Sequence, residues 1–303
     1  MSNRFLKIGI IGGGIGGLAL SISLQKMGHE VKVFERSLKI STFGSGVQLS
    51  PNGVKALQDL GLKKQVHFSA YSPERIVLVN GENNRHITSI RLGDVAASRY
   101  KAKFLQIHRS DLIGILYEEA LALGVEFHFG NSAIIKSTNS CESVICVNNC
   151  DYEFDLAVGA DGVHSLTRNS FFTHATPEFL EQVAYRTTIP LQKTVGEFNK
   201  PEVKIFVGAG KHIVLYPLIS RSLLNIVFCQ DASEWTSDGW SLPADIAEVE
   251  QNFGNFRDIN NILREITSLH KWGLFGYKNP IEWHLGTIAL LGDAFHPMLP
   301  YLA

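Results

Sequence analysis

The sequence predicts an α/β protein: a parallel sheet flanked by helices, with a smaller antiparallel-sheet domain of α+β character inserted into it. Three observations carry that prediction. A short apolar run near the amino terminus breaks into a glycine-rich turn and then into helical spacing. Later apolar runs end in loops bearing glycine or charge, as strands of an open α/β sheet do at their ligand-binding ends. The middle of the chain switches to strand-like runs on short turns, the mark of an antiparallel meander.

The elements follow in order. Ile8, Ile10 and Ile11 read as a buried parallel strand, and Ile15, Leu18, Ala19 and Ile22 then recur along one helix face. Gly28 suits a left-handed cap, after which Val31–Glu35 reads as the next strand. A strand–helix–strand passage runs from Phe104 to Phe129. Ser110 is its expected N-cap, Leu112, Ile115 and Leu116 its buried face, and Gly124 its stop. Leu156–Ala160 leads into Asp161-Gly162 and a helix start at Ser165, and Ile288–Leu291 leads into Gly292-Asp293. Val203–Val207, His212–Leu218 and Leu223–Gln230 form the meander, and Pro243–Ile266 continues with helical spacing. The strands ending at Ile11, His108, Ala160 and Leu291 are expected to converge on one ligand. Residues 1–72, 103–180 and 272–303 are assigned to the nucleotide-binding domain, and 73–102 and 181–271 to the domain that covers it.

Composition narrows the function classes. The 303 residues carry 28 Lys+Arg against 29 Asp+Glu, so no electrostatic reason exists to expect nucleic acid or an anionic membrane as partner. No signal peptide is read, and no apolar run approaches the ~18 residues of a membrane span. Cys141, Cys146, Cys150 and Cys229 lack CxxC spacing, which points to reduced thiols, no metal site and a cytoplasmic setting.

The chemistry starts at Gly12-x-Gly14-x-x-Gly17, between strand and helix, with Glu35 at the end of the following strand. Only glycine allows the tight turn and lets backbone N–H groups approach a pyrophosphate, which the helix dipole then favours. Glu35 is placed to accept hydrogen bonds from ribose hydroxyls. The motif alone leaves FAD and NAD(P) equally open.

The rest of the chain resembles the FAD-dependent aromatic-ring hydroxylases, the single-component flavoprotein monooxygenases, with the salicylate-hydroxylase-like members nearest. Gly12 to Glu35 is one fingerprint, and Asp155-x-x-x-x-Ala160-Asp161-Gly162-x-x-Ser165-x-x-Arg168 a second. Gly292-Asp293-Ala294-Phe295-His296-Pro297 is the third; Gly44-Ser45-Gly46-Val47, Ser50-Pro51-Asn52-Gly53 and His108-Arg109-Ser110-Asp111-Leu112 match in order between them.

This resemblance implies a Rossmann-like FAD-binding domain with an inserted substrate domain, and NADH or NADPH as co-substrate. Gly12, Gly14, Ile15, Gly17, Glu35 and Val47 would bind FAD. Asp293 would bond a ribitol or ribose hydroxyl, its alternative being a helix cap. Arg109 would reach the phosphate and sugar region, against a surface ion pair with Asp111 or Glu118. Asp161 and Gly162 would touch the flavin and serve NAD(P)H, against a plain Asp-Gly turn. Arg36 addresses the adenine or its ribose, or is simply solvated.

The implied reaction is hydroxylation of a small phenol- or benzoate-like ring by O2 and NAD(P)H through a flavin C4a-hydroperoxide. A phenol needs a base, and alternation puts His212, Val214 and Tyr216 on one strand face, making His212 and Tyr216 the catalytic candidates. A rim histidine and a core tyrosine are the plain alternative. Pro300 would lie near the substrate, or simply start a helix. Trp272, Tyr277 and Trp283 read as packing, and His296 as structural. Competing readings are a non-catalytic FAD-binding homologue, a flavin oxidoreductase with different chemistry, and an NAD(P) dehydrogenase, which leaves two fingerprints unexplained. Assembly as a homodimer stays open. The chain stops at Ala303 where the related hydroxylases continue into a further helix, so a fragment or a natural truncation is expected.

Overall fold

The structure is a computed structural model and describes residues 5–40, 44–172, 176–194, 198, 200–236, 241–277 and 281–299. The chain begins β1 (Lys7–Ile11), α1 (Ile15–Lys26), β2 (Glu30–Glu35). It continues through β3 (Gly46–Leu49), α2 (Pro51–Asp59), α3 (Lys63–Ser69), β4 (Arg75–Asn80), β5 (His86–Arg91), α4 (Gly93–Tyr100) and β6 (Leu105–His108). Next come α5 (Arg109–Ala122), β7 (Glu126–Phe129), β8 (Ala133–Thr138), β9 (Ser143–Val147), β10 (Cys150–Phe154), β11 (Leu156–Gly159) and α6 (Leu166–Phe171). The long strands follow as β12 (Glu178–Pro190), β13 (Glu202–Gly208), β14 (Lys211–Leu218) and β15 (Leu223–Asp231). Last are β16 (Ser241–Pro243), α7 (Ile246–Phe253), α8 (Asn260–Leu263), β17 (His270–Gly276), β18 (His284–Leu285) and β19 (Ile288–Leu290).

Two compact units result, one drawn from Met1–Thr42, Ser110–Glu178 and Phe275–Pro300, the other from Phe43–Arg109 and Phe179–Leu274. The stretches 43–72 and 103–109, expected with the nucleotide-binding segments, pack instead with the second unit.

The first unit is built on a six-stranded sheet of order β18-β19-β11-β1-β2-β7. β1 runs parallel to β2 and β11, β11 to β19, and β2 to β7. Its strands are apolar on both faces, as parallel strands must be when both faces are covered: Ile8, Ile10, Ile11, Val31, Val33 and Phe34 are all buried. The sheet β10-β9-β8 closes one face through Ile135, Ile145, Val147 and Phe154. Gly28, at φ +88°, follows α1 as expected, and Gly124 does the same after α5.

Two expectations need correction. The strand ending at His108 is not in the parallel sheet: β6 pairs antiparallel with β3, and Tyr71 bridges to Gln106 beside it. The slot next to β2 is filled by β7, so only three of the four expected strand ends, those of β1, β11 and β19, belong to one sheet. Ser110 is not the N-cap either. α5 starts at Arg109, whose N–H donates to the Ser45 carbonyl at 3.0 Å, so Ser110 lies within the first turn, where it is buried.

The second unit centres on an eight-stranded sheet, β16-β17-β12-β15-β14-β13-β4-β5. The meander β13–β14–β15 is antiparallel as expected. One sheet face is its core: Tyr185, Phe206, Ile213, Leu215, Ile226 and Phe228 pack against Val249, Phe253, Phe256, Ile259 and Ile262. The helical spacing expected over Pro243–Ile266 is realised as two helices, α7 and α8, with Asp258 in a left-handed backbone (φ +65°) between them.

Candidate functional site

The glycine turn is shaped by close backbone approach. Gly12 has φ +113°, and a Cβ there would lie 2.2 Å from the Ala160 carbonyl oxygen. A Cβ on Gly17 would lie 2.0 Å from the Gly12 oxygen, so both positions exclude any side chain. Gly14 differs: nothing lies within 4 Å of where its Cβ would point. It is the N-cap of α1 and supplies no side-chain cap, and the first turn, opening at Ile15, holds no acid. The helix therefore presents uncapped N–H groups and its positive dipole end to open space. Glu35 braces the turn, its Oε2 accepting from Gly13 N–H at 2.8 Å and its Oε1 from Ser37 N–H at 2.9 Å. Arg36 next to it is exposed.

Two further loops of the same unit follow β11 and β19. Asp161 Oδ2 accepts from Thr167 N and Oγ1 at 3.2 and 3.3 Å, while its Oδ1 is buried without a partner among the described residues. Gly162 has φ +80°, and Ser165 caps α6 by accepting from Arg168 N–H. Asp161-Gly162 is thus more than a plain turn: it is wired to the helix behind it. Arg168, 1% exposed, donates through Nη2 to Val163 O at 2.7 Å and through Nη1 to Ala294 O at 3.2 Å, holding the two loops together. Asp293 caps nothing. It is exposed in a 3-10 turn and makes no hydrogen bond or ion pair among the described residues.

The second unit holds the other candidates. Val47 lies in β3 opposite Ile107, and Arg109 opens α5. His212 and Tyr216 share a face of β14 with Val214, opposite the face that packs on α7. Burial drives His212 towards the neutral imidazole, against the charge of Asp231. Burial likewise keeps the Tyr216 hydroxyl protonated, so Tyr216 is a donor rather than a base. Beside it, fully buried Asn225 accepts from Gly46 N–H at 2.6 Å. A Cβ on Gly46 would fall 2.7 Å from the Tyr216 oxygen, which accounts for glycine there. Pro300 lies outside the described residues.

The FAD binding domain family matches residues 6–303, almost the whole chain. The chain belongs to that family. This flavoprotein is 28% identical over 304 residues to a 3-amino-4-hydroxybenzoate 2-monooxygenase of Streptomyces platensis, covering 100% of this chain and 76% of the relative. A 3-hydroxybenzoate 6-hydroxylase of Aquipseudomonas alcaligenes is 26% identical over 311 residues, covering 100% and 77%. Among solved structures, a salicylate hydroxylase substrate complex superposes with a TM-score of 0.82 at 24% identity, over 99% of this chain and 75% of that one, a likeness of fold. The resemblance to FAD-dependent aromatic-ring hydroxylases is borne out, and the chain is an oxidoreductase of that kind.

The residues present fit FAD. An open cradle at Gly14 under uncapped N–H groups suits a pyrophosphate, and the unengaged Asp293 carboxylate suits a sugar or ribitol hydroxyl. Sequence reasoning did not assign roles to Arg168 and Asn225. Arg168 stood in a fingerprint, and its fixed spacing after Asp161-Gly162 and Ser165 is the signal that could have marked it. Asn225 carries no such signal, because its role depends on Gly46, 179 positions away. Among the described residues no helix is long and apolar enough to cross a membrane.

Proposed function

We propose that the flavoprotein hydroxylates a small phenol- or benzoate-like ring, using NADH or NADPH and O2. The observation that carries this reading is the polar pair His212 and Tyr216 on the sheet face turned away from the helical core, in a chain matched along its length to hydroxybenzoate monooxygenases. The glycine turn and α1 hold the pyrophosphate, Glu35 and Asp293 accept sugar hydroxyls, and Arg168 keeps the loops carrying Asp161-Gly162 and Asp293 in register. Glu35 has lone pairs to spare for this, since each oxygen accepts only one backbone bond.

When bound, FAD supplies the reducible ring that activates oxygen for transfer. His212, held neutral, accepts the phenol proton at a ring nitrogen and so raises electron density in the aromatic ring. Tyr216 donates a hydrogen bond that orients the substrate oxygen. The roles of Val47, Arg109, Arg36 and Pro300 rest on the resemblance alone. The four free thiols are in keeping with a cytoplasmic setting.

The test is substrate-stimulated NAD(P)H oxidation with isotopically labelled O2 across phenols and hydroxybenzoates. Label recovered in a hydroxylated product supports the proposal. Consumption of NAD(P)H yielding only peroxide for every compound overturns it.

A further inference from the structure

The near-balanced charge of the whole chain conceals a strongly basic corner of the second unit. Residues 55–68 and 94–103 carry six cations, Lys55, Lys63, Lys64, Arg99, Lys101 and Lys103, against two acids, Asp59 and Asp94, in a chain of net charge −1. All eight are exposed. The fold gathers them, because α2 packs on both α3 and α4 while Val54, Leu57, Val66 and Ala96 supply the buried positions of these helices. His67 ties the end of α4 to α3. Burial first, then the charges of Lys103 and Lys63, drives its ring towards the neutral form, so both lysines lie close to it.

Among the described residues none of the six cations makes a hydrogen bond or ion pair. Arg99 lies over the Tyr100 ring, 5.4 Å from its centroid. Phe68 on α3 is 91% exposed, and Lys64 stands one turn before it on the same helix face. An exposed ring alone would be ordinary; a ring set among unpaired cations is the pattern of an interfacial surface. A side chain that projects so far lines no groove in which a peptide could lie. Lipid headgroups supply both the fixed negative charge that the lysines lack and an apolar boundary beneath it.

We propose that this corner, α3 with the end of α4, docks on an anionic lipid bilayer. Lys63, Lys64, Lys101 and Lys103 meet the headgroup charges, and Phe68 enters the acyl boundary. The attachment is peripheral and reversible, carried by one face of the second unit.

The experiment sediments the FAD-loaded full chain with vesicles of phosphatidylcholine, alone or mixed with phosphatidylserine; a gel shift with duplex DNA runs in parallel. Binding is expected to the mixed vesicles only, weakening as salt is added. Lys63→Glu combined with Lys64→Glu is expected to weaken it by roughly 25-fold or more, since each lysine at an anionic surface contributes about fivefold. Phe68→Ser is expected to weaken it about tenfold. These positions are exposed, so thermal melting and flavin content should match wild type. Lys7→Glu combined with Lys200→Glu makes the same change in net charge elsewhere and should bind as wild type does. Equal binding to neutral vesicles, binding to neither, or an equal loss in the Lys7/Lys200 pair overturns the proposal. A DNA shift without vesicle binding overturns it in favour of a nucleic-acid surface, and undiminished binding by Phe68→Ser overturns insertion of the ring.

Discussion

In the proposed reading, the glycine turn after β1 and the polar face of the eight-stranded sheet recognise ligands in opposite ways. The turn acts through backbone: its selectivity comes from N–H groups and from side chains that cannot exist at Gly12 and Gly17. The sheet face would act through side chains whose surroundings are set only after folding, such as Tyr216 of β14 beside Asn225 of β15, which accepts from Gly46 179 positions away. A backbone site tolerates almost no substitution where contacts are closest, yet is indifferent to what its neighbours carry. A side-chain site can be rewritten one residue at a time. One fold can therefore keep a single cofactor while its substrates diverge.

The sharpest way to break this contrast is Gly17→Ala. The new methyl would meet the Gly12 oxygen, and overpacking of backbone costs about 3 kcal/mol or more. FAD retention after gel filtration should vanish; retention near wild type would mean that the turn is not the cradle. The counterpart in the second unit is Phe253→Ala, which empties the space between α7 and Phe228 and should cost about 3–5 kcal/mol. Denaturant unfolding measures the loss, and hydrogen exchange should localise it to β13–β15 and α7.

Asp293→Ala is milder. The residue makes no bond among the described residues, so melting temperature should hold while FAD dissociates roughly tenfold or more faster. An unchanged flavin affinity would remove Asp293 from the site. The smallest effect is the pH profile of His212. Its folded pKa lies below the ordinary 6.5, so its contribution to stability is complete above that value and falls away as pH drops through 6.5 towards the folded pKa. The acid limb of kcat/KM should sit below pH 6.5 for the same reason, and His212→Gln should erase it.

The contrast also explains what was legible in the sequence. Gly12, Gly14, Gly17 and Glu35 lie within one βαβ unit, where spacing reports geometry directly. The meander was readable because its turns are short. β6 was not, since nothing in Leu105–His108 distinguishes a parallel partner from the antiparallel β3 that it takes. Asn225 was invisible for a related reason: alternation gives a residue's face, but only register gives its neighbours.

Arg168 has a consequence for the order in which the chain folds. Its partner carbonyl at Ala294 lies 126 residues downstream, and β19 pairs with β11 across a similar interval. During synthesis the loop after β11 therefore waits with an edge strand open and a guanidinium still in water until the residues around 290 emerge. The second unit's meander, made of neighbours in sequence, has no such delay. Loop closure of that length slows folding, so the nucleotide-binding unit, although it begins at the amino terminus, is the last to become complete.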